Sequence, residues 1–216
     1  MVKSMKLSRK LDFKEEVGNA VTHFVGALAM LALLPVTTIH SYAKYDTKAV
    51  AGMTIFVISL FLMFMASAIY HTMAYGSMHK YVSRIVDHSM IYIAIAGSYT
   101  PLALSVIGGV LGYVIMGLQW GITVFGILYK IFRKKVNEKF SLILYLAMGW
   151  LAIFVIPSIV RNTGITFMIL MVAGGLLYSI GAFFYTRKYK YSHMIWHLFI
   201  LAAAVTHYVA IVYFML

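Results

Sequence analysis

From residue 18 to residue 215 the chain is a succession of apolar runs, each about twenty residues long and most of them parted from the next by a short polar segment. A helix of about 20 residues is about 30 Å long, the thickness of a bilayer's hydrocarbon core. Lipid offers no partner to backbone N–H and C=O groups, so a spanning segment must be a helix or part of a closed barrel. These runs are continuous and do not alternate, which selects helices. Of the 216 residues, 62% are hydrophobic and 11% are charged, whereas a soluble domain has roughly 45–50% and 25%. The expectation is an all-α integral protein that crosses the plasma (inner) membrane several times.

The runs place seven spans, at 18–38, 50–72, 86–106, 109–130, 140–158, 164–185 and 192–215. They form one transmembrane domain over 18–216. A basic, then acidic segment over 1–17 ("KSMKLSRKLDFKEEV") precedes it and suits a short interfacial helix. The first run follows that polar segment without a small-residue cleavage site, so it reads as a retained helix. Spans three and four are joined by "VIGGVLG", and Pro101 and Pro157 stand where a span is expected to kink or end.

The formal net charge is +12, which in a soluble domain would suggest nucleic acid. Here the basic residues fall between spans and read as determinants of orientation, with no nucleic-acid partner. Lys3, Lys6, Arg9, Lys10, Lys14, Lys80, Arg84, Lys130, Arg133, Lys134, Lys135, Lys139, Arg187, Lys188 and Lys190 fall on one side, and Lys44, Lys48 and Arg161 on the other. That bias puts the N-terminus in the cytoplasm and, with seven spans, the C-terminus outside. There is no cysteine, so disulfides and thiolate ligands are excluded.

The polar residues inside the spans gather at one level. "HMIWH" (His193 to His197) opens span seven, "SAIYH" (Ser67 to His71) closes span two, Asp87 opens span three, and Glu16, Asn19, Thr22 and His23 open span one. All four helix ends lie on the side expected to be cytoplasmic. Residues four apart share a helix face, which pairs Ser67 with His71 and His193 with His197. Three imidazoles suit a catalytic zinc ion that keeps a fourth position open. His71, His193 and His197 could supply them, with Asp87 as outer group or general base and Ser67 orienting the water or an oxyanion. A substrate at this depth is a membrane lipid whose amide or ester lies near the headgroup boundary.

The same blocks carry a resemblance. "SAIYH", "DHSMIYIAIAGSYTP" (Asp87 to Pro101), "HMIWHLFILAAAVTHY" (His193 to Tyr208) and "EEVGNAVTHFVGA" resemble the signature blocks of the progestin and adiponectin receptor family. The short loops and bare seven-span core resemble its bacterial branch, the hemolysin III-related proteins. The resemblance implies zinc on His71, His193 and His197, with Asp87 and Ser67 beside the activated water. Alkaline ceramidases, in the wider superfamily, imply hydrolysis of a lipid amide. The hemolysin III name implies a cytolytic role.

Several residues admit a plainer reading. His193 and His197 could pack or bond against neighbouring helices, Asp87 could pair with Arg84 or a loop lysine, and Ser67 could bond a carbonyl one turn earlier. Glu16, Asn19 and Thr22 either tie span one to the site or serve its helix start. His23 and His88 read as structural, and His40 and His79 as incidental. His207 lies too far from His197 for one metal shell and is expected to bond a neighbouring helix. Three functions compete: a zinc-dependent lipid hydrolase, a non-enzymatic sensor or pore, and a haem or retinal protein. Span seven has no lysine after Lys190 for a retinal Schiff base, while bis-histidine haem on His71 and His193 stays open. Oligomeric state is left undetermined.

Overall fold

A computed structural model describes residues 10–133 and 136–216. The basic residues Lys3, Lys6, Arg9, Lys134 and Lys135 lie outside the described residues. Among the described residues seven helices are long and apolar enough to cross a membrane. They are α1 (Phe13–Lys44), α2 (Thr47–Thr72), α3 (Met78–Ile107), α4 (Gly109–Phe132), α5 (Glu138–Asn162), α6 (Ile165–Tyr185) and α7 (Ser192–Tyr213). Every expected span has its helix, and several are longer than hydropathy alone suggested. α1 begins at Phe13, so residues 13–17 are its first turns, and it carries Pro35 in its interior. α3 begins at Met78 rather than 86. Hydropathy marks where a helix is apolar, whereas a helix continues through polar turns once these find partners.

That early start corrects the reading of two cations as loop charges. Lys80 and Arg84 are helical, and their side chains turn to acids on other helices, Lys80 to Glu16 and Arg84 to Glu138. Lys130 likewise sits in the last turn of α4, buried, with its Nζ donating to Ser141 Oγ on α5 at 3.1 Å.

Pro101 and Pro157 each stand at a break in regular helix. α3 is α-helical as far as Pro101 and then widens into π-helical turns over Leu102–Ile107. A glycine pair with positive φ, Gly108 and Gly109, reverses the chain into α4. α5 tightens into a 3₁₀ stretch at Leu151–Val155 just before Pro157. The Tyr99 hydroxyl steadies this break by donating to the Gly149 carbonyl and accepting from the Ala152 N–H, each at 2.7 Å.

α2, α3 and α7 are the most buried helices, and α1, α4, α5 and α6 surround them. Met53, Phe56, Leu60, Phe64, Ala204 and Ile211 lie in the core between them. Large apolar residues facing outward, such as Leu28, Val114, Ile143 and Ile169, suit contact with lipid tails. Asp12 and Lys190, just outside α1 and α7, pair at 3.2 Å. Each charge favours the other, so the Asp12 carboxyl is held below its ordinary range and the Lys190 amine above its own.

The N-terminal end of α1, the C-terminal ends of α2 and α6, and the N-terminal ends of α3 and α7 share one face of the bundle. At the opposite end of the bundle α2 packs closely on α3: a Cβ added at Gly52 would stand 2.7 Å from Pro101 Cα. Overpacking of this kind costs about 1–3 kcal/mol, and the obstructing atom is backbone. Gly52→Leu is therefore expected to lower the thermal unfolding midpoint in detergent by several degrees. Gly117→Leu, which meets open space, should leave it unchanged.

Candidate metal centre

α7 begins at Ser192, so His193 and His197 fall in its first two turns, on one face. α2 closes with His71 one residue before its end. The close packing of these helices brings the three rings together, with centroids 5.2 Å apart for His71 and His193, 4.9 Å for His71 and His197, and 4.8 Å for His193 and His197. One nitrogen from each lies within 4.8 Å of the other two. Nitrogens on one tetrahedral zinc stand about 3.4 Å apart, so the trio is slightly more open than a loaded site.

Hydrogen bonding decides which nitrogens are free. His71 Nδ1 lies 2.6 Å from Glu16 Oε2 on α1. A carboxylate accepts, so His71 donates through Nδ1 and its lone pair is at Nε2. Lys80 Nζ donates to the other oxygen, Glu16 Oε1, at 2.8 Å and stands 4.3 Å from the Tyr70 ring centroid. The Nε2 atoms of His71, His193 and His197 are all buried without a hydrogen-bond partner. Native interiors rarely leave polar atoms unpaired, at a cost of about 1–3 kcal/mol each. Three that converge have the donor set of a metal site, and the carboxylate behind His71 is the usual outer partner of a metal-binding imidazole.

Asp87 is buried in the third turn of α3, with the Ser67 hydroxyl beside it. Ser67 is thus turned to Asp87. The alternative partner Arg84 is engaged by Glu138 at 2.9 Å, with Tyr185 donating to the same carboxylate at 3.4 Å. Lys80, Arg84 and Lys130 surround Asp87 and supply positive potential.

Helix one contributes unevenly. Glu16 reaches the cluster and Asn19 is fully buried beside it, its main-chain carbonyl next to the His197 ring. Thr22 does not: its hydroxyl donates to the Gly18 and Asn19 carbonyls within its own helix. His23 stacks on His197 at 3.7 Å and 14° between planes, so it belongs to the wall of the site. His88 bonds the Arg84 carbonyl one turn back, as a structural residue would.

The sequence profile of the family described as Haemolysin-III related matches residues 11–208. The chain belongs to that family. This Haemolysin-III-related protein is 37% identical over 214 residues to hemolysin-3 of Bacillus cereus, covering 98% of this chain and 97% of that protein. It is 33% identical over 202 residues to the hemolysin-3 homolog of Bacillus subtilis (strain 168), covering 93% and 94%. The human monocyte to macrophage differentiation factor is 28% identical over 207 residues, covering 91% and 83%. The seven helices and these relatives make it a multi-pass membrane protein, with the adiponectin-receptor likeness in place.

The family fold shows what a linear reading misses. Lys80 is 2% exposed and completes the pairing of Glu16, although its position suggested a surface charge. A signal was present: Lys80, Arg84 and Asp87 are spaced four and three apart and so share a helix face. Without its carboxylate, His71 loses the group that fixes its tautomer and orientation. Glu16→Gln is expected to weaken the affinity of the histidine trio for a divalent metal about 10- to 100-fold, as measured with zinc by chelator competition.

Proposed function

We propose that this protein is a zinc-dependent hydrolase of an amide or ester bond in a membrane lipid, with zinc held by His71, His193 and His197. One observation carries the reading: a mostly apolar cavity lies beside the histidine cluster, bounded there by His23, which stacks on His197, and by Ser67, one turn before His71. His23, Ser67 and Asp87 line one end of it, and Ile159, Met168 and His207 line the other. A lipid whose chain filled that space would present its polar bond beside Asp87.

Zinc held by three histidines supplies Lewis acidity towards a carbonyl and lowers the pKa of a water towards about 7. The remaining work falls to the chain. Asp87 takes a proton from the attacking water on its carboxylate and returns it to the departing nitrogen or oxygen. Ser67 orients Asp87, while Glu16 and Lys80 hold His71. The apolar walls exclude bulk water, which strengthens each electrostatic contact at the head of the cavity. The Lys/Arg bias of the sequence supports a cytoplasmic position for this end of the bundle, with the N-terminus.

The relatives' name favours a second reading, a lytic protein without an enzymatic site. Purified protein separates the two. Alanine at His71, His193 or His197 is expected to remove the zinc. Asp87→Asn is expected to keep the zinc and lose about 10²- to 10⁴-fold of lipid turnover, followed by release of free fatty acid from ceramides and glycerolipids. Turnover unchanged in Asp87→Asn, or absent in wild type alongside vesicle leakage, would sink the hydrolase reading.

A further inference from the structure

His207 stands ten residues beyond His197 on α7, about 15 Å further at helical rise, and it lines the far part of the same cavity. Its Nε2 lies 3.1 Å from the Met171 carbonyl on α6. A carbonyl only accepts, so the ring proton is on Nε2 and a neutral ring keeps its lone pair on Nδ1. Among the described residues nothing hydrogen-bonds to that Nδ1, although the residue is only 8% exposed. The ring is also fixed in place. It lies directly over Gly174, where any Cβ would collide with it, and the Tyr178 ring meets it edge-on at 5.4 Å.

Helix-to-helix bonding accounts for one nitrogen of this histidine and leaves the other unexplained. A histidine deep in an apolar bundle is costly. The same residue lines the lipid-sized space. We propose that His207 Nδ1 accepts a hydrogen bond from a hydroxyl carried part-way along the chain of the lipid that occupies the cavity. The inference rests on the reading that the cavity holds a lipid chain. An extended chain advances about 3.5 Å for every three bonds. A hydroxyl facing His207 is therefore about a dozen carbons from the bond held at the histidine cluster. Because Nδ1 carries no hydrogen, it selects a hydroxyl and not a ketone.

Binding to the full-length wild-type protein in nanodiscs tests this without requiring turnover, using octadecanoic acid and its 12-hydroxy, 12-oxo and 2-hydroxy derivatives. The 12-hydroxy acid should bind about 3- to 10-fold more tightly than octadecanoic acid, the yield of one neutral hydrogen bond. The 12-oxo and 2-hydroxy acids should show no such gain. In His207→Phe the preference, read as the ratio of the 12-hydroxy acid's affinity to that of octadecanoic acid in the same variant, should fall to about one. Equal binding of the 12-hydroxy and unsubstituted acids overturns the inference and leaves the lipid cavity standing, as does a preference that survives in His207→Phe. Failure of all four acids to bind overturns both. If His207→Phe does not fold, the positional series on wild type decides alone.

Discussion

The Glu16 carboxylate places one oxygen on His71 Nδ1 and the other at Lys80 Nζ, and so joins α1, α2 and α3 at the level of the histidine cluster. Each member depends on the others. A lysine that is 2% exposed requires a counter-charge, and a carboxylate entering an apolar bundle requires donors. His71 needs a fixed acceptor if its Nε2 is to face inward. Charged residues at the centre of a span cost about 2.5–3.5 kcal/mol apiece, and near the face of the bundle a hydrogen-bonded pair lowers that cost. The site is thereby built from groups that are unfavourable singly and tolerable together.

The same economy of partners runs through the rest of the bundle. Arg84 takes Glu138, Lys130 takes Ser141, and Tyr145 donates to the His88 carbonyl at 2.6 Å. These contacts fasten α3, α4 and α5 around Asp87. Other buried polar atoms of the described residues, those of Glu15 and His23 and Gln119 Oε1 included, also lack hydrogen-bond partners. What sets His71, His193 and His197 apart is that their nitrogens gather within 4.8 Å of one another, the donor set a metal ion would need. The cavity beside them continues past the 3₁₀ break in α5, where Tyr99 bridges the interrupted carbonyls and amides. An irregular backbone lining an internal space is where membrane proteins tolerate it.

Much of this was legible in the linear chain. The number of spans, the alignment of polar residues at one end of the bundle and the histidine trio all follow from periodicities of one helix at a time. His207 bonding to a neighbouring helix was legible for the same reason, since a deep histidine must find a partner. Less legible were contacts made across helices. Lys80 read as a loop charge because hydropathy cannot see Glu16 on another helix. Thr22 read as part of the polar cluster, yet its hydroxyl closes on its own backbone. His23 read as structural, and its stacking on His197 depends on how α1 lies against α7.

The sequence by itself determined that this chain is an all-helical membrane protein with three histidines and an aspartate near one face, because hydropathy and helical spacing are local properties. The tertiary structure alone decided which nitrogens remain free, which acid supports which base, and how far the cavity runs from the cluster towards His207. Those outcomes depend on distances between helices far apart in the chain, and only the close packing of α1, α2, α3, α6 and α7 sets them.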